Sequence, residues 1–205
     1  MSGETVRLPL PDPQPDPAAE GLLAGYRDRG LPDLNINLAL AYSPPALAGL
    51  SMLGTGMRQD STVAAIDREI VVLRTANITR CDYELFHHAN MALAAGLSQA
   101  QIDGVADWRN CAAFSGRQMA LMAYVDASLE RSGVPDAMFE DLAQHFTRRQ
   151  IVEITVISGT YATLAQLIRS LDIPIEESAM SIEAFSPMRR SRVARPRRLS
   201  ARAAR

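Results

Sequence analysis

The chain contains no lysine; all 21 of its basic residues are arginine. Schiff-base enzymes, pyridoxal-phosphate enzymes and P-loop nucleotide hydrolases each depend on a lysine ammonium group, so these three classes are excluded. Cysteine is nearly absent. Cys81 and Cys111 form neither a disulfide framework nor a CxxC or zinc-ribbon spacing, and both are expected as free thiols in a reducing compartment. No apolar run approaches the ~20 residues of a bilayer span, and the N-terminal MSGETVRLPLPDPQPDP lacks the charged-then-apolar order of a signal peptide. A cytoplasmic protein with no membrane partner is the expectation. Strand signals are scarce as well, since no hairpin dipeptide flanked by alternating runs occurs.

What is present is a chain of 205 residues, 47% apolar and 21% charged, a composition suited to one globular domain. Its charge is unevenly divided. Residues 188–205 hold 8 arginines and no acid, while residues 1–187 carry 13 arginines against 23 acidic residues. The tail, MRRSRVARPRRLSARAAR, is expected to be a disordered, solvated extension. No aromatic residue interleaves its arginines, so nucleic acid is not the expected partner, though an anionic partner for the tail is left open.

Helical periodicity with caps recurs along the chain, so the fold class expected is all-α, a bundle of about eight helices. The proline-rich residues 1–17 should run extended over the surface, followed by a domain over 18–175. Helices are expected at 18–29, stopped by Gly30; at 34–42 and 45–57, divided by Pro44-Pro45; and at 64–78, followed at once by CDYELFHHANMALAAG. Three S/T-x-x-Q capping boxes start further helices: Ser98 with Gln101, Ser115 with Gln118 and Thr147 with Gln150. The Ser115 helix should reach about Arg131, another covers 136–146, and the last is IVEITVISGTYATLAQLIRSL, opened by the Thr147 box and terminated by Pro174. Its β-branched residues would allow strand, but its length and cap decide for a buried helix.

The strongest chemical cluster is CDYELFHH, residues 81–88. At 100° per residue, Cys81 and His88 lie within about 20° of one another and Glu84 about 60° to one side, so the three share a face. His87 points about 120° away, toward solvent or a neighbouring helix. A thiol, a carboxylate and an imidazole together supply the parts for proton transfer. Read alone, the same residues also suit an amphipathic helix with a surface His–Glu pair.

The segment DREIVVLRTANITRCDYELFHHANMALAAGLSQAQIDGV resembles the core motif of the carboxymuconolactone decarboxylase and alkylhydroperoxidase-like (AhpD-like) superfamily. That motif reads RELVIL, then a Cys/Ala-x-Tyr-Glu-Trp-x-x-His block, then AGLS. FSGRQMALMAYVDASLE and HFTRRQIVEITVISGTYATLAQLIRSLDI are similar to the family's second half, so the resemblance covers residues 18–173. It implies that Glu69 is the family's acidic residue. The peroxidase branch uses Cys-x-x-Cys followed four residues later by His; here the pattern becomes Cys81, Glu84 and His88, as in the decarboxylase branch. The family's Trp is Leu85, and its Asn and Arg on the last helix fall on Ala162 and Gln166, which leaves the substrate open.

The resemblance implies an AhpD-like enzyme that transfers a proton on, or decarboxylates, a small unsaturated or oxo acid or lactone, without a cofactor. His88 would be the proton donor, oriented by Glu69 or Glu84, with Cys81 on the same face. One alternative is a single-cysteine thiol peroxidase using Cys81; another is a non-catalytic binding protein on the same fold. A trimer or hexamer is implied. Glu69, Glu84 and His88 could also ligate a metal, but Glu-x-x-x-His lacks the paired-histidine spacing of zinc proteases and no metal is expected. Arg68, Arg74 and Arg80 lie near the motif, each expected as a surface or helix-end charge.

Overall fold

The computed structural model describes residues 7–10, 16–130 and 133–177; the arginine-rich tail at 188–205 lies outside the described residues. Among those described, every regular element is helical: α1 (Pro17–Arg27), α2 (Asn35–Leu40), α3 (Pro44–Gln59), α4 (Ala65–Thr79), α5 (Asp82–Ala95), α6 (Gln99–Gly104), a 3-10 turn (Trp108–Asn110), α7 (Gly116–Ser128), α8 (Asp136–His145) and α9 (Arg148–Leu171). The all-α expectation holds, with nine α-helices among the described residues in the place of about eight.

The start signals operate as their chemistry requires. At each of the three capping boxes the hydroxyl accepts from the glutamine's backbone N–H, and the glutamine side-chain oxygen accepts from the N–H of the capping residue. Two orphan donors are thereby satisfied at the head of α6, α7 and α9. Thr147→Ala is expected to cost about 1 kcal/mol of unfolding free energy in a urea titration. An unchanged midpoint would show that α9 holds its first turn without the cap.

Helix α4 is the centre of the molecule. Ile70, Val71, Val72 and Leu73 are all buried, a run that goes round the helix, so α4 must have neighbours on several sides. It packs against α5, α7 and α9. Leu121, Met122 and Val125 of α7 and Ile151, Ile154 and Ile157 of α9 complete this core with Trp108 and Phe146. A second cluster joins Leu23, Tyr26, Ile36, Leu40 and Leu47 of α1–α3 to Tyr83, Ala165 and Ile168. Leu8 and Leu10 of the leader pack on it, and the Tyr42 hydroxyl donates to the Pro9 carbonyl at 2.7 Å.

Arg80, in the left-handed conformation at φ 53°, ends α4, so α5 folds straight back against it as a helical hairpin. Helix α9 is long and apolar enough to cross a membrane by length and composition alone, which corrects the expectation that no apolar run approaches the length of a span. Single Thr, Ser and Gly residues interrupt its apolar run without lowering its hydropathy much. One face of α9 nevertheless packs on α4 and the other helices of the bundle. Glu153 on that helix is buried and accepts from Ser61, Thr62 and Arg149 at 2.8–3.0 Å. Burial would raise its pKa, but those bonds hold it down at about 2.

Candidate active site

Tyr83, Glu84, His87 and His88 stand at i, i+1, i+4 and i+5 of α5 and form its inner face. All four are buried, His87 most deeply at 2% exposure. This rules out the solvent placement of His87, which instead lies on the same inner face as Glu84 and His88. The buried arc of α5 is wider than assumed and centres near Glu84, with His88 on one flank and His87 on the other. Helices α1–α3 and the segment following α9 wrap that side of α5, and the sequence periodicity of α5 carries no record of them.

The four side chains form one wall of a cavity of about 110 Å3. Leu31, Leu34, Ile36, Leu40, Leu50 and Leu164 make it largely apolar, and Arg58 of α3 and Tyr161 of α9 add polar groups. Cys81 is not part of this wall. It is the N-cap residue of α5, 1% exposed, with its side chain in the second apolar cluster. The expected sharing of a face by Cys81, Glu84 and His88 is therefore only half realised: the carboxylate and imidazole reach the cavity and the thiol does not. A cap residue has left helical geometry, so the 100° rule no longer aims its side chain. Burial, then the charge of Glu84, pushes the Cys81 thiol up, despite nearby backbone N–H groups of Glu84 and Tyr83. A peroxidatic thiol needs the opposite shift.

Glu69 lies behind His88. Its Oε2 accepts from His88 Nδ1 at 2.7 Å, and His88 Nε2, thereby turned forward, stands 3.5 Å from Glu84 Oε2. The Tyr161 ring packs edge-on to His88 with centroids 5.0 Å apart. Burial alone would lower the His88 pKa; the charge and hydrogen bond of Glu69, then the charge of Glu84, outweigh it and the net shift is upward. Burial also pushes the Glu84 carboxyl up, against the two histidines. The array Glu69–His88–Glu84 thus favours a protonated imidazole beside an acid inclined to keep its own proton. It can deliver a proton into the cavity.

A second network holds the opposite flank. Glu176, beyond the end of α9, receives the Asn35 backbone N–H at 2.5 Å, the Tyr83 hydroxyl at 2.6 Å and His87 Nε2 at 2.6 Å. Burial would raise the Glu176 carboxyl, but these partners hold it below the usual range. The network ties the head of α2, which covers the cavity, to α5.

The arginines near the motif sort differently from one another. Arg74 pairs with Asp126 and donates to the Val105 and Ala106 carbonyls at 3.1 and 3.0 Å, away from the cavity. Arg80 is a helix end, as expected. Arg68 approaches Glu69 Oε1 at 3.7 Å, with its side chain 16% exposed, so it is not the surface charge expected. Sequence reasoning missed Arg58, Tyr83, Tyr161 and Glu176. A lone arginine among the small and apolar residues of LAGLSMLGTGMR was the available signal for Arg58; Glu176 had none. Among the described residues no group of three or more His, Cys, Asp and Glu side chains is arranged to hold a metal ion.

Residues 44–127 match the carboxymuconolactone decarboxylase family. The Escherichia coli (strain K12) protein YnjA, itself uncharacterized, is 27% identical over 120 residues, 58% of this chain and 66% of its own length, so the chain spans just under two thirds of that relative. A protein of unknown function from Agrobacterium tumefaciens, likened by its description to the antioxidant defence protein AhpD, superposes with a TM-score of 0.62 at 26% identity, over 67% of this chain and 94% of the other. An alkylhydroperoxidase AhpD core protein from Ralstonia eutropha JMP134, described as peroxidase-related, reaches a TM-score of 0.71 at 22% identity, over 87% and 94%. The matched residues contain the α4–α5 hairpin with Glu69, Glu84 and His88 and are similar to the carboxymuconolactone decarboxylase family, and the fold as a whole is AhpD-like.

Proposed function

We propose that this chain is a cofactor-independent acid–base enzyme that decarboxylates a small unsaturated or oxo acid. The observation that carries the proposal is the Glu69–His88–Glu84 array on the wall of a small, largely apolar cavity. Such a reaction breaks one C–C bond, sends its electron pair into an adjacent conjugated carbonyl, and leaves CO2 and an enolate. The enolate carbon then takes a proton. His88 Nε2 gives it, and solvent or Glu84 returns one to the imidazole. Apolar walls favour the step, because the spread of charge during CO2 loss is opposed by water that would hold the carboxylate. Neither a metal nor a carbonyl cofactor is required when the substrate itself carries the electron sink.

The thiol-peroxidase alternative needs a thiolate at the cavity, and Cys81 has neither the position nor the shift. The test is an incubation with small unsaturated lactone carboxylates and oxo acids in D2O, followed by CO2 release and by deuterium at the former carboxylate carbon. Product carrying deuterium is expected, at a rate that Cys81→Ser leaves within about twofold, with little consumption of hydroperoxide in the presence of dithiols. Rapid peroxide turnover abolished by Cys81→Ser, with no CO2 release, would replace the decarboxylase by a peroxidase.

A further inference from the structure

At its Tyr161 end the cavity borders a smaller space of about 10 Å3, room for one water-sized group. Gly54, Arg58, Thr160 and Tyr161 belong to the walls of both spaces, and Arg68 closes the smaller one. Two guanidinium groups, from α3 and α4, border the same small volume. Like charges so placed repel one another and favour an anion between them.

Each arginine is held there by its surroundings. Arg58 lies one turn after Gly54 on α3, and its guanidinium is folded back over that glycine: a Cβ at position 54 would meet Nη2 at 3.6 Å and Nη1 at 3.9 Å. The absent side chain leaves the room in which the group lies along the cavity wall. Arg68 has its Nε shut off from solvent with no hydrogen-bond partner. Its carboxylate neighbour, Glu69, stays at 3.7 Å through Oε1 while Oε2 is committed to His88. A buried guanidinium N–H without an acceptor is rare in a folded interior, and this one is a donor suited to an anionic ligand.

We propose that Arg58 and Arg68, with Tyr161, form an anion subsite that seats one carboxylate of the ligand at the border of the two spaces, one oxygen toward the smaller, beside the His88 array. The inference rests on the cavity being the substrate site, but not on which reaction follows.

Benzoate and benzamide, rings of the same shape that differ in charge, are suitable probes in calorimetric titrations at neutral pH. The unsubstituted chain is expected to prefer benzoate by roughly tenfold or more. Arg58→Gln and Arg68→Gln should each remove most of that preference while benzamide binding stays as it was, which also reports an intact cavity, and Arg58→Lys should restore part of it. No preference in the unsubstituted chain, or a preference that survives in either glutamine variant, overturns the subsite. Loss of the preference in His88→Asn with retention in the arginine variants overturns it too, and assigns the cation to the imidazolium. Absence of CO2 release with the benzoate preference intact removes the decarboxylation reading and leaves the subsite standing; CO2 release without the preference does the reverse.

Discussion

His88→Asn is expected to lower kcat/KM for the decarboxylated acid by about 10²- to 10⁴-fold, the contribution of a positioned acid–base group, while the helical fold is retained. Asparagine keeps a donor able to reach Glu69 but has no proton to give at the cavity. The pH profile separates this role from a packing role. His88 is held protonated to a higher pH than an ordinary imidazole, because Glu69 and Glu84 outweigh its burial. Activity that needs the imidazolium should persist through neutral pH and fall as pH rises through that raised value. His87 sits in the same wall but faces Glu176, at 2.6 Å, and not Glu69. His87→Asn is therefore expected to act on KM, through the covering of the cavity by α2, and to leave the basic limb of the profile in place. A His88→Asn variant with undiminished rate, or a basic limb that moves with His87 and not with His88, would remove His88 from the chemistry.

The parts of this molecule that were legible in the sequence are those determined within a few turns of helix. The three capping boxes are local hydrogen-bond exchanges across three residues, and each starts the helix expected of it. The His88–Glu84 relation is an i,i+4 spacing on one helix, readable once the helix is recognised. Glu69, 19 positions before His88 and on a different helix, came only through the family resemblance; the α4–α5 hairpin brings it to 2.7 Å. What was not legible depends on distant packing. Glu176 meets Asn35 across 141 positions and His87 across 89, and no periodicity encodes such a contact. Cys81 was misplaced for a different reason, since the helix rule was applied one residue beyond the helix. Arg58 and Arg68 were hidden by composition: in a chain with so many arginines exposure is the ordinary expectation, so the apolar setting of Arg58 was a faint signal and Arg68 is singled out only by the cavity walls.

Glu69→Gln carries the largest electrostatic effect expected in the molecule. The glutamine keeps the shape and an acceptor for His88 Nδ1, but it removes the charge that most raises the His88 pKa. Burial, the largest single influence on this imidazole and a lowering one, is then opposed mainly by Glu84, whose own carboxyl is pushed up by burial and so holds its proton to higher pH. The His88 ring is expected to titrate above about 6.5 in the unsubstituted chain and below it in the variant, read from its ring-proton NMR shifts. The sign of the stability change follows. A raised histidine pKa gives the folded state a proton that the unfolded state has already lost, so its stabilisation is complete below about 6.5 and disappears as pH rises through the folded value. A lowered pKa makes protonation favour the unfolded state, and the variant should lose stability as pH falls through about 6.5. The gap in unfolding free energy between the two chains should therefore widen as pH is taken from 8 to about 5. A gap that stays constant over that range, with His88 titrating at the same pH in both, would show that Glu69 positions the ring without holding its proton.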